Sequence, residues 1–148
     1  MPLSAWGVCF VLASAPEVAP QFLPVHAFTL AWTHSIEKVR WEEDYRVVAP
    51  RSSGEPPVLQ AGKARIRGSA AGMEPPEDAV LINGWYEYQP AQPLTETLRL
   101  TRSAFTADYD WCVNDRCLPM SAIMPSDGDV TLLYACRNPS PGSPGSQR

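Results

Sequence analysis

Short runs in which apolar and small or polar residues alternate, cut by turn-forming pairs, constrain this chain more than any other feature. Residues 28–33 (FTLAWT) alternate with period two, the spacing of a strand that buries one face. Residues 41–48 alternate again. Trp41, Tyr45 and Val47 fall on one face and Glu42, Asp44 and Arg46 on the other, with Glu43 on the apolar face between Trp41 and Tyr45. Residues 58–68 give a third strand with Ala64 and Ile66 inward and Lys63, Arg65 and Arg67 outward. Residues 79–82 and 85–88 flank Asn83-Gly84, a pair suited to a type I′ hairpin turn. Residues 94–101, 108–113, 117–120 and 130–136 complete the set, and residues 34–38 read as a turn or bulge. The sequence predicts an all-β single domain, a sandwich or small barrel of about seven to nine short antiparallel strands. The alternative is an α+β domain with one short helix near residues 120–127.

Composition agrees. The 148 residues suffice for one domain. Sixteen prolines disfavour a helical bundle, and the formal net charge of −4 argues against nucleic acid or an anionic membrane as the main partner. No apolar run reaches the roughly 20 residues of a membrane helix, so no stable membrane span is expected. The expected division is a degenerate signal-like or N-terminal segment at 1–23, a β domain at 24–136 and a disordered tail at 137–148.

The compartment is read from the N-terminus and the cysteines. Residues 3–15 (LSAWGVCFVLASA) resemble the apolar part of a secretory signal, with Ala13-Ser14-Ala15 as a small-residue cleavage site. No Lys or Arg precedes Lys38, and Pro16 would follow the cut, so the signal is weak or truncated. The alternative is a buried first strand or helix of the domain. With Asn114-Asp115 as a two-residue turn, Cys112 and Cys117 become a non-hydrogen-bonded cross-strand pair with Cα atoms about 4.5 Å apart. That spacing suits a disulfide, worth roughly 2 kcal/mol at most for so short a loop. Half of a zinc site is the rival reading, but His26 and His34 are the only histidines. Cys136 is left as a buried free thiol or an exchange partner. The reading is a periplasmic or otherwise extracytoplasmic protein.

The frames GxxxxGK[ST], GxGxxG, HExxH, GxSxG and a paired CxxC are absent, so no enzyme activity, cofactor or metal is expected. The densest polar cluster is His34-Ser35-Ile36-Glu37-Lys38 with Glu42-Glu43-Asp44. It reads first as structure, a capped strand end with a solvated charged face. It reads second as a binding site, because a buried Glu43 must be paired or protonated, with His34 or an arginine as the natural partner. Arg65 and Arg67 would then supply an anion-binding counterpart. Catalysis by Ser35 with His34 as base is disfavoured, because adjacent residues on an extended chain point to opposite faces. Trp32, Trp41, Trp85 and Trp111 read as core and rim rather than as a ligand-stacking box.

FTLAWTHSIEKVRWEEDYRV (28–47), RIRGSAAGMEPP (65–76) and DWCVNDRCLPM (110–120) resemble the bacterial domain of unknown function 1850 family. That family typically opens with a strand ending in His-Ser-x-Glu. An acidic pair, a Gly/Ala-rich turn before Met or Pro, and a late short Cys hairpin follow. By position, His34, Ser35, Glu37, Glu42 and Glu43 match the first motif, and Gly68, Gly72 and Met73 the second. The resemblance implies no established activity. It implies a small exported protein of the kind often encoded beside tripartite ATP-independent periplasmic (TRAP) transporters of the TAXI type. The expected role is accessory, with the transporter's membrane subunit or solute-binding protein as partner.

Overall fold

In the computed structural model, which describes residues 5–33, 39–50, 52, 54–67, 76–90 and 94–139, twelve strands form two antiparallel sheets. The large sheet holds β3 (Ala27–Thr33), β4 (Arg40–Val48), β5 (Val58–Arg67), β6 (Val80–Ile82), β7 (Trp85–Tyr88), β8 (Leu94–Thr95), β10 (Asp110–Val113) and β11 (Arg116–Pro119). Its order is β11-β10-β3-β4-β5-β7-β6, with β8 also pairing to β5. The small sheet holds β1 (Trp6–Leu12), β2 (Gln21–Leu23), β9 (Thr97–Thr101) and β12 (Val130–Arg137) in the order β2-β1-β12-β9. Among the described residues one 3-10 turn, Met120–Ala122, stands where a short helix was the alternative. The all-β sandwich is the architecture.

Period-two placement builds the core. Phe28 and Leu30 on β3, Tyr45 on β4, Leu59 on β5 and Trp111 on β10 point inward from the large sheet. Val8, Phe10, Leu100, Leu133 and Ala135 meet them from the small one. Trp111 stacks on Phe28 with ring centroids 4.5 Å apart and meets Phe10 edge-on at 5.1 Å. Both hairpin turns have the positive φ values a type I′ turn demands: Asn83 at 51° with Gly84 at 85°, and Asn114 at 53° with Asp115 at 65°.

Four details differ from the sequence reading. The β fold begins at Trp6, not at Pro24. β1 pairs with β12 over its whole length, and Val8 and Phe10 are fully buried. A central strand and the apolar part of a signal share one composition, and the buried first strand is the alternative that the pairing with β12 matches. Residues 94–101 are two strands, not one: β8 joins the large sheet and β9 the small, with the chain crossing at Glu96. Cys136 is neither free nor an exchange partner of the hairpin pair, because it is bonded to Cys9 on β1. Arg137 belongs to β12 rather than to a tail, while residues 140–148 lie outside the described residues.

The second expected bridge, Cys112–Cys117, closes the β10–β11 hairpin with Cα atoms 4.0 Å apart. The Cys9–Cys136 bridge spans 127 residues. In the chain-entropy treatment a loop of that length is worth about 5 kcal/mol against about 2 for the hairpin.

One buried arginine ties the loops together. Arg102, 2% exposed, donates from Nε and Nη2 to the two oxygens of Asp108 at 2.9 Å each, and from Nη1 to Thr131 Oγ1 at 3.1 Å. Asp108 also accepts the backbone N–H groups of Tyr109 and Ser121. Burial pushes the Asp108 carboxyl up, but the Arg102 pair and these N–H groups outweigh it, and its pKa lies below the usual carboxylate value.

Candidate functional site

The acidic stretch of β4 is divided between the two faces of the large sheet. Glu42 and Asp44 point outward, and Glu43, between them, points inward beside Leu30 of β3 and Ala64 of β5. The three carboxylates therefore belong to two separate sites.

The outer site is a ladder of ion pairs. Arg65 Nε donates to Glu42 Oε1 at 2.8 Å, while its Nη1 and Nη2 hold both oxygens of Asp44 at 3.0 Å. Arg40 donates from Nε to Glu42 Oε2 at 2.9 Å and from Nη1 to Asp110 at 3.1 Å. The Thr29 hydroxyl donates to Asp44 at 2.7 Å. The bonds from Asp44 and, after the opposing effect of burial, from Glu42 raise the Arg65 pKa further and keep its charge fixed. A bulge makes room for this. Glu43 faces Ala64 but Tyr45 faces Ala61, so Gly62 and Lys63 together oppose Asp44. A Cβ at Gly62 would touch that of Asp44 at 3.4 Å. The ladder floors an open depression of about 740 Å³ rimmed by Asn114, Asp115 and Cys117. Its charges satisfy one another, and Arg65 Nε, Nη1 and Nη2 are all engaged within the fold. The Arg67 guanidinium lies over the Trp85 ring, 5.3 Å from the centroid.

The inner site is different. The Tyr45 hydroxyl donates to Glu43 Oε1 at 2.7 Å, and no lysine or arginine pairs with Glu43 among the described residues. Burial first, then the charge of Glu43, raises the hydroxyl pKa of Tyr45, and the same two causes act on Tyr88 and Tyr109. All three phenols therefore stay neutral at physiological pH. Trp32 and Trp41, paired across β3 and β4, stack at 5.9 Å and 16°. Tyr109 meets Trp32 at 5.7 Å and 57°, which makes a corner rather than a closed stack. Trp41 Nε1–H is buried and, among the described residues, without a hydrogen-bond partner. Trp85 and Trp111 lie elsewhere, one against Arg67 and one in the core, so the four tryptophans do not form one box.

Of the residues singled out in the sequence, His34, Ser35, Glu37, Gly68, Gly72 and Met73 lie outside the described residues. The segments that hold them leave from one end of the large sheet. Thr33 pairs with Arg40 there, and Arg67 lies one position beyond the Ile66–Trp41 pair. The partner of Glu43 is a phenol from its own strand, where the sequence suggested His34 or an arginine. Tyr45 was legible as its same-face neighbour, two residues on. Tyr88, Tyr109, Asp110, Arg102 and Asp108 were missed, because each comes from another strand or a loop, and Arg40 because it precedes the alternating run of β4. Among the described residues no group of three or more His, Cys, Asp or Glu side chains is placed to hold a metal ion.

A family model described as a domain of unknown function (DUF1850) matches residues 28–120, more than half of the chain. The chain belongs to the DUF1850 family. The DUF1850 segment carries the large sheet and β9, and leaves out β1, β2 and β12 of the small sheet. Both faces of β4, with Glu42 and Glu43, lie inside it. No curated protein and no solved structure matches the chain. Two disulfides fit an oxidising compartment. Among the described residues no helix is long and apolar enough to cross a membrane.

Proposed function

We propose that this DUF1850 protein is a non-enzymatic, periplasmic or otherwise extracytoplasmic accessory module of TAXI-type TRAP solute uptake. It works by contact with the transporter's membrane subunit or solute-binding protein. The transporter enters through the family resemblance. The observation that carries the interaction role is β6, an edge strand on which Val80, Leu81 and Ile82 are 58%, 58% and 45% exposed. Edge strands normally carry charges or prolines that discourage pairing, and contiguous exposed apolar residues mark a contact surface. The outer-face carboxylates Glu42, Asp44 and Asp110 support the same reading, since each is engaged by an arginine within the fold.

Gene deletion with uptake as readout tests this. Loss of the gene lowers uptake of the TAXI-type substrate, and a copy carrying Val80→Lys with Ile82→Lys fails to restore it. Unchanged uptake of every such substrate overturns the proposal.

A second reading is a small-molecule or metal-ion binding domain built on His34, Glu37 and Glu43. One observation favours it, the half-buried Glu43 that lacks a basic partner among the described residues.

A further inference from the structure

We propose that Glu43 and the aromatic side chains around it receive an organic cation, a protonated amine or guanidinium group that carries a hydrogen-bond acceptor beside it. The inference rests on the binding reading of Glu43 and names its ligand class.

Four other carboxylates in the structure set the contrast. Glu42, Asp44, Asp108 and Asp110 each hold an arginine within 3.1 Å. Among the described residues Glu43 holds only a neutral phenol. A carboxylate on a half-buried apolar face is best satisfied by a positive charge. The rings on the same inner face add to the preference. The face of an indole or phenol attracts cations, most strongly where water is partly excluded. Trp41 lies two residues from Glu43 on the same inner face, Trp32 stacks on it, and Tyr109 meets Trp32 at 57° rather than closing a second stack. Trp41 Nε1–H supplies the second half of the recognition. A buried indole N–H normally finds an acceptor, and this one has none among the described residues. A carbonyl next to the ligand's cation would take it. An anion would meet the Glu43 charge, and a metal ion would find a single carboxylate, so neither suits the described residues as well. The cation has two possible sources, a free amine and a basic side chain on a partner protein.

Tryptophan fluorescence of the full, disulfide-intact chain tests the assignment. It is titrated with arginine ethyl ester, tetramethylammonium, the peptide Gly-Arg-Gly and, in a separate arm, acetate, with sodium chloride matching ionic strength. The expected result is a saturable change with the arginine ester and a weaker one with tetramethylammonium, which lacks the acceptor. Glu43→Gln weakens ester binding at least tenfold while melting as the wild type does, and Trp32→Leu weakens it several-fold with Glu43 intact. Peptide binding ten times tighter than ester binding assigns the site to a partner's side chain, and equal or weaker binding assigns it to a free amine. No saturation with any cation, or wild-type affinity in Glu43→Gln, overturns the proposal. A saturable acetate response lost in Glu43→Gln would sink the cation class but keep the site as a binder. Silence in every arm sinks both.

Discussion

The outer and inner faces of β4 carry the same kind of side chain in opposite company. Outside, Glu42 shares its two oxygens between Arg40 and Arg65, and Asp44 takes both terminal nitrogens of Arg65. Inside, Glu43 lies between Leu30 and Ala64, shares its face with Trp41 and Tyr45, and accepts the Tyr45 hydroxyl. The difference separates a carboxylate that closes a network within the fold from one with no counter-charge among the described residues. A carboxylate that closes an internal network costs stability when it is removed. A carboxylate left without a counter-charge on an apolar face is a cost to the fold, and losing its charge leaves stability unchanged or improved. Arg102 and Asp108 extend the structural class into the interior, where the same pairing is buried and its loss dearer.

The predictions test how far that division reaches. The largest effect lies outside it and sets the scale: Cys9→Ala with Cys136→Ala lowers unfolding free energy by about 5 kcal/mol, against about 2 for Cys112→Ala with Cys117→Ala. Urea unfolding of both double variants checks the order, and equal losses would remove the long-loop explanation. Next comes Arg102→Leu, which strands Asp108 and costs about 3–5 kcal/mol. The same pair sets an acid limb. A carboxyl held low in the folded state adds stability that is complete above its unfolded value, the ordinary 3.8, and is lost as pH falls through the lower folded value. Thermal melts from pH 6 to 2 should therefore fall less steeply below pH 4 in Asp108→Asn than in the wild type. An unchanged slope would show that the Asp108 charge is not what folding recruits. Arg65→Met, at a partly exposed ladder, costs less, about 1–2 kcal/mol, and its effect shrinks in 1 M salt. A salt-independent loss would mean that packing rather than charge holds the outer face.

Much of the fold was legible because alternation and turn chemistry are local. Asn83-Gly84 and Asn114-Asp115 fixed two hairpins, and the period along residues 41–48 put Glu43 on the inner face. What escaped needed information from farther away. Trp6–Leu12 is apolar enough to be read as export signal or buried strand, and only its pairing with β12 decides. Alternation runs on through residues 94–101, so nothing local marks Glu96 as the crossing between sheets. The Cys9–Cys136 link joins the first strand to the last, a distance over which spacing carries no pairing information. In the candidate site, identity and face were readable for Glu42, Glu43 and Arg65. Whether each carboxylate meets an arginine or a ring depends on register, and the bulge at Gly62–Lys63 keeps Arg65 outward and Leu59 inward along one strand.

The most direct test sets two neighbours against each other. Urea unfolding of Glu42→Gln and Glu43→Gln is compared in the same buffer at pH 7. Glu42→Gln should lose about 1–2 kcal/mol and Glu43→Gln less than about 0.5, or gain. A loss at Glu43 equal to or larger than that at Glu42 would make the inner carboxylate part of the scaffold and contradict the account.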